Sequence, residues 1–348
     1  MKGLIISFGV ILGLFLGLYP NMYKPKPLIW KIIAGLIVTA SICMSLLPPL
    51  GSNLQAARYV FSKIPDKSID IYVYAKQGSE KYDGKEWQMK VYNANTAYFE
   101  QTLIYKGEHL PSELKSGSKL IITTKYDNER KAFIYLSTEY FGPLLVLPFV
   151  PALDNQVRIL NFHVPVAWVS VLAYLISMVF SIVYLRTKNP NYDLKATAAA
   201  GIGTVFCILT TLTGMLWAKF NWGSFWNWDP RETSIFILLL IYGAYFSLRS
   251  AIENHEVKAR LSAVYSILAF ITVPFLVFVL PRILEGLHPG STNDTTTGPV
   301  LSGREGALDF TQQFAFSLGL CSFTLIFFWI NNLYIRYKLS LKQILINQ

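Results

Sequence analysis

Apolar and polar positions along this chain follow two different rhythms. Long apolar runs with almost no charge between their ends occupy residues 4–19, 29–48, 165–185, 197–218, 233–248, 261–281 and 311–335. The hydrocarbon core of a bilayer takes about 20 apolar residues of helix, so these runs predict about seven transmembrane helices, the first of marginal length. Tyr19-Pro20-Asn21-Met22 after the first run offers no small-residue cleavage site, which predicts a helix that stays rather than a signal peptide. Pro48-Pro49 closes the second run. Residues 51–140 instead carry 13 Lys/Arg and 11 Asp/Glu and have no run of membrane length. There the apolar positions recur with period two at Ile69–Tyr74, Trp87–Tyr92, Thr102–Tyr105, Leu120–Thr124 and Ala132–Leu136, and Gly78, Asp83-Gly84, Gly107, Gly117 and Asp127-Asn128 supply turns. Five short strands in so little chain predict a small β-barrel of OB type. Residues 141–152 are apolar but hold Pro143, Pro148 and Pro151, so a helical stub or re-entrant segment is expected there.

The expected architecture is therefore an all-α polytopic membrane protein with an inserted, extracytoplasmic, OB-like β-barrel. Its parts are two helices in residues 1–50, the insert in 51–140 and five helices in 141–348. Composition agrees: of 348 residues, 53% are hydrophobic and only 15% charged, too apolar for one soluble domain. The net charge of +10 changes the picture only through its placement. Lys24, Lys26, Lys31, Arg186, Lys188, Lys195, Arg249, Lys258, Arg260, Arg336, Lys338 and Lys342 flank alternate ends of the apolar runs. That is the bias expected of loops facing the cytoplasm. It puts the N-terminus, the insert, residues 219–232 and residues 282–308 outside. No basic strip interleaved with aromatics would track a phosphate backbone, so nucleic acid is excluded as a partner. Cys43, Cys207 and Cys321 all lie in apolar runs without a CxxC spacing, which excludes zinc and iron–sulfur sites built on them.

Candidate chemistry gathers at one outer loop. Trp222, Phe225, Trp226 and Trp228 fall within seven residues and are followed by Asp229-Pro230-Arg231-Glu232. An aromatic belt would spread such residues over many helix ends. Their concentration with glycine, proline and charge predicts a platform for a planar ligand. Two of the four histidines, His163 and His288, flank this loop on the same side. Two imidazoles at one depth fit axial ligation of a haem iron better than a zinc site, for which a Cys or carboxylate cluster is lacking. Arg231 is the expected partner of the haem propionates. Asp229 and Glu232 are expected to cap the next helix and orient Arg231, with Pro230 at its first position.

These residues carry a resemblance. Trp222–Ser234 resembles the tryptophan-rich WWD signature of haem-handling proteins of cytochrome c maturation. With Arg158–Pro165, Leu248-Arg249-Ser250 and Leu287-His288-Pro289-Gly290 in the same order, the chain is most similar to the CcmC branch. The resemblance implies that His163 and His288 are the axial ligands of haem b, that Trp222, Trp226, Trp228, Asp229 and Arg231 help hold it, and that there is no catalytic residue. It implies haem delivery at the inner (cytoplasmic) membrane to a CcmE-like haem chaperone, alongside other cytochrome c maturation membrane proteins. Asp229-Pro230-Arg231-Glu232-Thr233 is closer to the loop of CcsA-type cytochrome c synthases, so attachment of haem to apocytochrome is the alternative. A transporter or quinone-interacting role is disfavoured by the near absence of charge inside the spans. The insert has its own likeness: Tyr105–Leu114 with Ser116-Gly117, and Ala57–Pro65 upstream, resemble stretches of CcmE, a haem chaperone with an OB-fold. The covalently attaching histidine of that family would fall within Tyr135–Phe141, near Ser137, where this chain has none. The insert is then expected to mimic or dock the chaperone, or to shield the haem site, without carrying haem covalently. His109 and His255 are expected to be solvated.

Overall fold

The structure is a computed structural model, which describes residues 2–46, 54, 57–58, 61, 64, 67–93, 100–115, 119–141, 157–288, 291–292 and 310–346. The expected stub or re-entrant segment, the Pro48-Pro49 stop, the Gly117 turn and Pro289-Gly290 fall outside the described residues. The chain divides into two compact units: Met1–Ser45, Arg158–Ser302 and Phe314–Gln348 form one, and Leu46–Val157 with Gly303–Gln313 the other.

The second unit contains the β insert. Its strands are β1 (Ile69–Ala75), β2 (Lys81–Tyr82), β3 (Trp87–Asn93), β4 (Gln101–Tyr105), β5 (Lys119–Asp127) and β6 (Ala132–Phe141), with a one-turn helix α3 (Ser112–Lys115) between β4 and β5. All five alternating windows are strands. The sheet order β1-β5-β6-β4-β3-β2 is closed by a further pairing of β1 with β3, so five strands form a barrel and β2 extends β3 at its rim. Only β4 and β6 run parallel. Period-two alternation turns Ile71, Val73 and Ala75 of β1, Met89 and Val91 of β3, Leu103 of β4, Leu120 and Ile122 of β5 and Phe133 of β6 into one core, which Leu110 and Leu114 plug beside α3. Arg130 grips Glu86 with two bonds of 2.7 and 2.9 Å and ties the β5–β6 turn to the β2–β3 turn.

The helical unit contains α1 (Lys2–Leu18), α2 (Leu28–Leu46), α4 (Val157–Thr187), α5 (Pro190–Trp222), α6 (Pro230–Ala251) and α7 (His255–Pro274). A π-turn over Phe275–Val279 leads from α7 into the short α8 (Leu280–Ile283), and α9 (Phe310–Ile346) ends the described chain. Among the described residues, six helices are long and apolar enough to cross a membrane. The seventh apolar helix, Gly3–Leu18, is shorter, and its packing shows how it is held. Gly9, Gly13 and Gly17 form a stripe that lets α1 lie against Ser317, Cys321, Thr324 and Phe328 of α9. A Cβ at Gly13 would come within 3.0 Å of the Thr324 side chain, and one at Gly9 or Gly17 would overlap α9 outright. Small residues at every fourth position allow such close approach where no hydrophobic force separates helix from lipid. Ser317 adds a hydrogen bond of 2.7 Å to the Ile5 carbonyl, and the Trp30 indole of α2 bonds the Leu16 carbonyl at 2.7 Å.

The helices run well beyond the apolar windows. α4 begins eight residues before the expected start of its span, so His163 lies inside the helix rather than at its opening, and Pro165 is an interior residue. Gly319 of α9 accommodates that proline, for a Cβ there would meet Pro165 Cγ at 3.1 Å. α5 likewise continues to Trp222, which is a helical residue and not part of the loop. Hydropathy marks the part of a helix that sits in lipid, whereas backbone hydrogen bonding and caps decide where the helix ends.

At the α4/α5 and α6/α7 turns one ion pair and one cation–ring contact lie within the chain. Arg249 in the last turn of α6 holds Asp193 in the first turn of α5 with two bonds of 2.7 and 2.9 Å. Lys195 rests 3.4 Å over the ring of Tyr23 and 4.6 Å from that of Tyr192. Lys26, only 4% exposed, donates to the carbonyls of Gly17 and Tyr19 at the end of α1 and lies 4.9 Å over the Trp30 ring.

Candidate functional site

The opposite end of the α5–α6 pair is built by two caps. Gly223 ends α5 in the left-handed region at φ 84°, a conformation that glycine adopts without strain, and its N–H bonds the Lys219 carbonyl. Asp229 begins α6 as the N-cap, accepting from the Arg231 N–H, with Pro230 at the first helical position and Glu232 completing a capping box. Seven residues, 223–229 with the caps included, join the two helices, and they are fixed from within. Glu232 accepts from the N–H of Asn227 at 2.8 Å, and Asn227 donates through its amide to the Ser224 carbonyl at 3.3 Å.

The aromatic residues do not form a flat platform. Trp222 stands edge-on to the His288 ring, 4.6 Å between centroids and 75° between planes. Trp226 packs edge-on to Trp228 and to Phe236 of α6. Trp228, held at φ 56°, is 70% exposed. Three tryptophans close in sequence thus have three surroundings: one braces a histidine, one anchors the loop to its helix and one faces outward. Steric competition among large rings on a seven-residue loop favours edge-to-face contacts over coplanarity.

Asp229 does more than cap. Besides the Arg231 N–H at 2.9 Å, its carboxylate accepts from the Leu287 N–H at 2.7 Å and from His288 Nδ1 at 2.7 Å. Its side chain is 1% exposed. Burial pushes the Asp229 carboxyl up, but the His288 hydrogen bond and the two backbone donors outweigh it and hold the group down at about 2. The expected orienting of Arg231 by Asp229 involves the Arg231 backbone, while the carboxylate spends its other bonds on the His288 segment. Gly286 makes this possible, because a Cβ there would fall 2.8 Å from Asp229 Oδ2 and 3.0 Å from Pro230 Cδ.

His163 is placed by α5. Its Nδ1 lies 2.9 Å from Thr213 Oγ1, and a Cβ on the next residue, Gly214, would come within 3.2 Å of His163 Cε1. The His163 imidazole is near enough to both His288 and Arg231 for their charges to act on it. Arg231 in turn lies within electrostatic reach of Asp229 and Arg282. The seven predicted site residues therefore fall into two groups. His163, His288, Trp222, Asp229 and Arg231 share one neighbourhood, whereas Trp226 and Trp228 are connected to it through the loop. Of the remaining motif positions, Arg249 belongs to the other end of α6, about 30 Å of helix away at 1.5 Å per residue.

Sequence reasoning missed Thr213, Gly214, Gly286 and Arg282. The threonines did leave a trace: Thr210, Thr211 and Thr213 are three hydroxyls in one apolar span. All three bond back to carbonyls of their own helix, and Thr213 is the one that also meets a histidine. Nothing in a single sequence separates it from its neighbours. Among the described residues there is no cluster of three or more His, Cys, Asp or Glu that would hold a bare metal ion.

Residues 130–343 match the family model "CcmC: Heme exporter protein C". The chain belongs to this family. The heme exporter protein C of Rhodobacter capsulatus is 35% identical over 145 residues, 42% of this chain and 60% of that protein. That of Bradyrhizobium diazoefficiens is 38% identical over 122 residues, covering 35% and 46% of the two chains. The Escherichia coli K12 protein is 30% identical over 138 residues, 40% of this chain and 56% of its own length. The matches thus span roughly half the length of these curated relatives. The family match takes in β6 and the helices from α4 onward, and strands β1–β5 lie before it.

Proposed function

We propose that this protein binds haem b at the extracytoplasmic end of its helical unit and presents it to a CcmE-like haem chaperone during maturation of c-type cytochromes. The observation that carries the reading is a pair of histidines within electrostatic reach of one another, each with Nδ1 occupied by a hydrogen-bond partner. Occupied Nδ1 atoms leave Nε2 as the coordinating nitrogen, which is the donor set that a six-coordinate haem takes. Arg231 and Arg282 supply cationic partners for two propionates. Trp222 limits the tilt of the His288 ring, and the outward Trp228 offers an indole to the edge of a macrocycle. The names of the relatives, heme exporters, agree with a haem cargo.

The orientation follows from charge. The basic turns lie at the ends of α4 to α7 remote from the two histidines, and the positive-inside bias puts those turns in the cytoplasm. The histidine end then faces outward across the cytoplasmic membrane. In this reading residues 1–50 and 141–348 supply the membrane helices and residues 51–140 act as a docking element for the chaperone. Ser137, near the position of the attaching histidine in CcmE, lies in β6 and donates to Glu139 at 2.8 Å; in this reading the barrel docks the chaperone without carrying haem covalently. Presentation holds the cargo through its iron and leaves any covalent attachment to the acceptor, so the site needs ligands rather than a nucleophile.

The test is the absorption spectrum of purified protein supplied with haem. Wild type shows a bound six-coordinate spectrum, and replacing both His163 and His288 with alanine abolishes it; a wild type that stays haem-free overturns the proposal. Deleting residues 54–140 impairs transfer to the chaperone more than haem binding, and unimpaired transfer removes the docking role. Pro230 and Glu232 in the loop favour one second reading, a CcsA-type synthase. Co-expression with apocytochrome in the absence of other maturation components decides it, since only a synthase yields covalently attached haem.

A further inference from the structure

A histidine offers a lone pair to iron from one ring nitrogen only while its proton is held on the other, and the group that holds the proton sets how strongly the ring donates. Both histidines of this site have such a group, and the two groups differ in charge. At His288 it is the Asp229 carboxylate, which has no proton to give and so accepts from Nδ1–H at 2.7 Å. At His163 it is the Thr213 hydroxyl, 2.9 Å from Nδ1. A hydroxyl can donate or accept. The single Thr213 proton, however, is directed to the carbonyls of its own helix, Leu209 at 2.8 Å and Thr210 at 3.2 Å. Thr213 is left to accept from His163 Nδ1–H. Both rings thus keep the proton on Nδ1 and present a bare Nε2.

We infer that Asp229 and Thr213 make the two haem ligands unequal: His288, backed by a carboxylate, anchors the haem, and His163, backed by a neutral hydroxyl, is the ligand given up when the haem leaves. This inference rests on the haem reading above and assigns an order to the release.

Two independent features of the structure support it. The first is electronic. A carboxylate draws the Nδ1 proton toward itself and raises the basicity of Nε2, while a hydroxyl that is already donating elsewhere does so far less. The second is mechanical. Asp229 is locked by the N–H groups of Arg231 and Leu287, and Gly286 lies against its Oδ2, so His288 is mounted on a rigid post with Trp222 against its ring. His163 has only neutral groups of its neighbouring helix behind it, the Thr213 hydroxyl and the Thr210 backbone, and, at Gly214, a neighbour with no side chain. A bound haem would be held through Nε2 of His288 and of His163, and exchange of His163 for a donor atom of the acceptor would replace one lone pair by another without electron transfer while His288 kept its hold.

The experiment uses the full-length protein and has two readouts. In haem-free protein, ¹⁵N-histidine NMR separates the tautomers, and the chain has only four histidines to resolve. His163 and His288 are both expected as the Nδ1–H form. Asp229→Asn, whose amide can donate to Nδ1, drives His288 toward the Nε2–H form. Thr213→Val releases His163 to a mixture, and Thr213→Ser restores it. An Nε2–H tautomer at either ring in the wild type overturns the assignment even if the variants fail to fold. In haem-loaded protein, His288→Ala loses haem on gel filtration at least tenfold faster than His163→Ala, and His163→Ala takes up added imidazole at the open position. Asp229→Asn shifts the haem midpoint potential to a more positive value, and Thr213→Val shifts it less. Equal haem loss from the two alanine variants, or faster loss from His163→Ala, overturns the asymmetry while leaving the haem reading intact. A wild type that shows both rings in the Nδ1–H form yet binds no haem sinks the haem reading and, with it, the release order.

Discussion

The two ends of the α5–α6 helix pair each carry an aspartate in partnership with a base, half-buried at one end and buried at the other, and the partners make the ends different. At one end Asp193 is held by Arg249 through two parallel bonds, with both side chains less than one-fifth exposed. A guanidinium keeps its charge at every physiological pH and offers no lone pair, so the pair can only fasten. At the other end Asp229 meets His288, whose second ring nitrogen stays open to a ligand. Nearby charges follow the same division. Lys195 and Lys26 spend their ammonium groups on rings and carbonyls of the chain itself, while Arg231 lies within electrostatic reach of His163 and Asp229. A carboxylate of the same type is structural or functional according to whether its partner has a lone pair left to give.

This contrast can be broken most forcefully at Arg249. Arg249→Ala leaves the half-buried Asp193 without its counter-charge and is expected to cost about 2 kcal/mol of stability, between the values for exposed and buried pairs. Thermal unfolding in detergent should show the loss, and the folded fraction should bind haem as wild type does. Haem binding that falls in proportion to no loss of fold would mean the two ends are coupled. Asp229→Asn has the reverse profile. It keeps the shape of the cap, so unfolding changes modestly, but haem affinity drops about 10- to 100-fold, the usual cost of losing a group that orients a metal-bound histidine. Titration with haem measures it, and an unchanged affinity would reduce Asp229 to a helix cap. Next in size is Gly13→Leu, which overpacks α1 against Thr324 and Cys321 of α9 and should cost about 2 kcal/mol. Unfolding of the variant at an unaltered haem spectrum would keep α1 on the fastening side of the comparison.

The smallest expected effect belongs to Lys26. Burial pushes its ammonium down to about 8 from 10.5. Below pH 8 both folded and unfolded chains hold the proton, and the folded state bears the full cost of burying it. Between about 8 and 10.5 the unfolded chain binds more protons than the folded one, so stability rises with pH and then levels off. Melting temperatures recorded from pH 7.5 to 10 should climb in wild type and stay flat in Lys26→Met. A parallel climb in the variant would place the titrating group elsewhere.

Much of the molecule was determined by the sequence alone, because the determining physics is local. Seven apolar runs and five alternating windows became seven helices and five barrel strands, since period and composition are properties of a short segment. The Asp229-Pro230-x-Glu232 cap was readable for the same reason: its donors and acceptors are within four residues of one another. The tertiary structure decided what long-range contact alone can decide. Closure of the barrel by β1 with β3, and the parallel pairing of β4 with β6, follow from chain reversal that no window contains. The glycine stripe of α1 acquired its meaning from α9, some 300 residues later. The two histidines were legible as candidates. What holds each of them was not, because Thr213 is 50 residues from His163 and Asp229 is 59 from His288. A hydrogen bond across that distance depends on where two helices and a loop come to rest, so the difference between a carboxylate and a hydroxyl behind the two rings exists only in the folded chain.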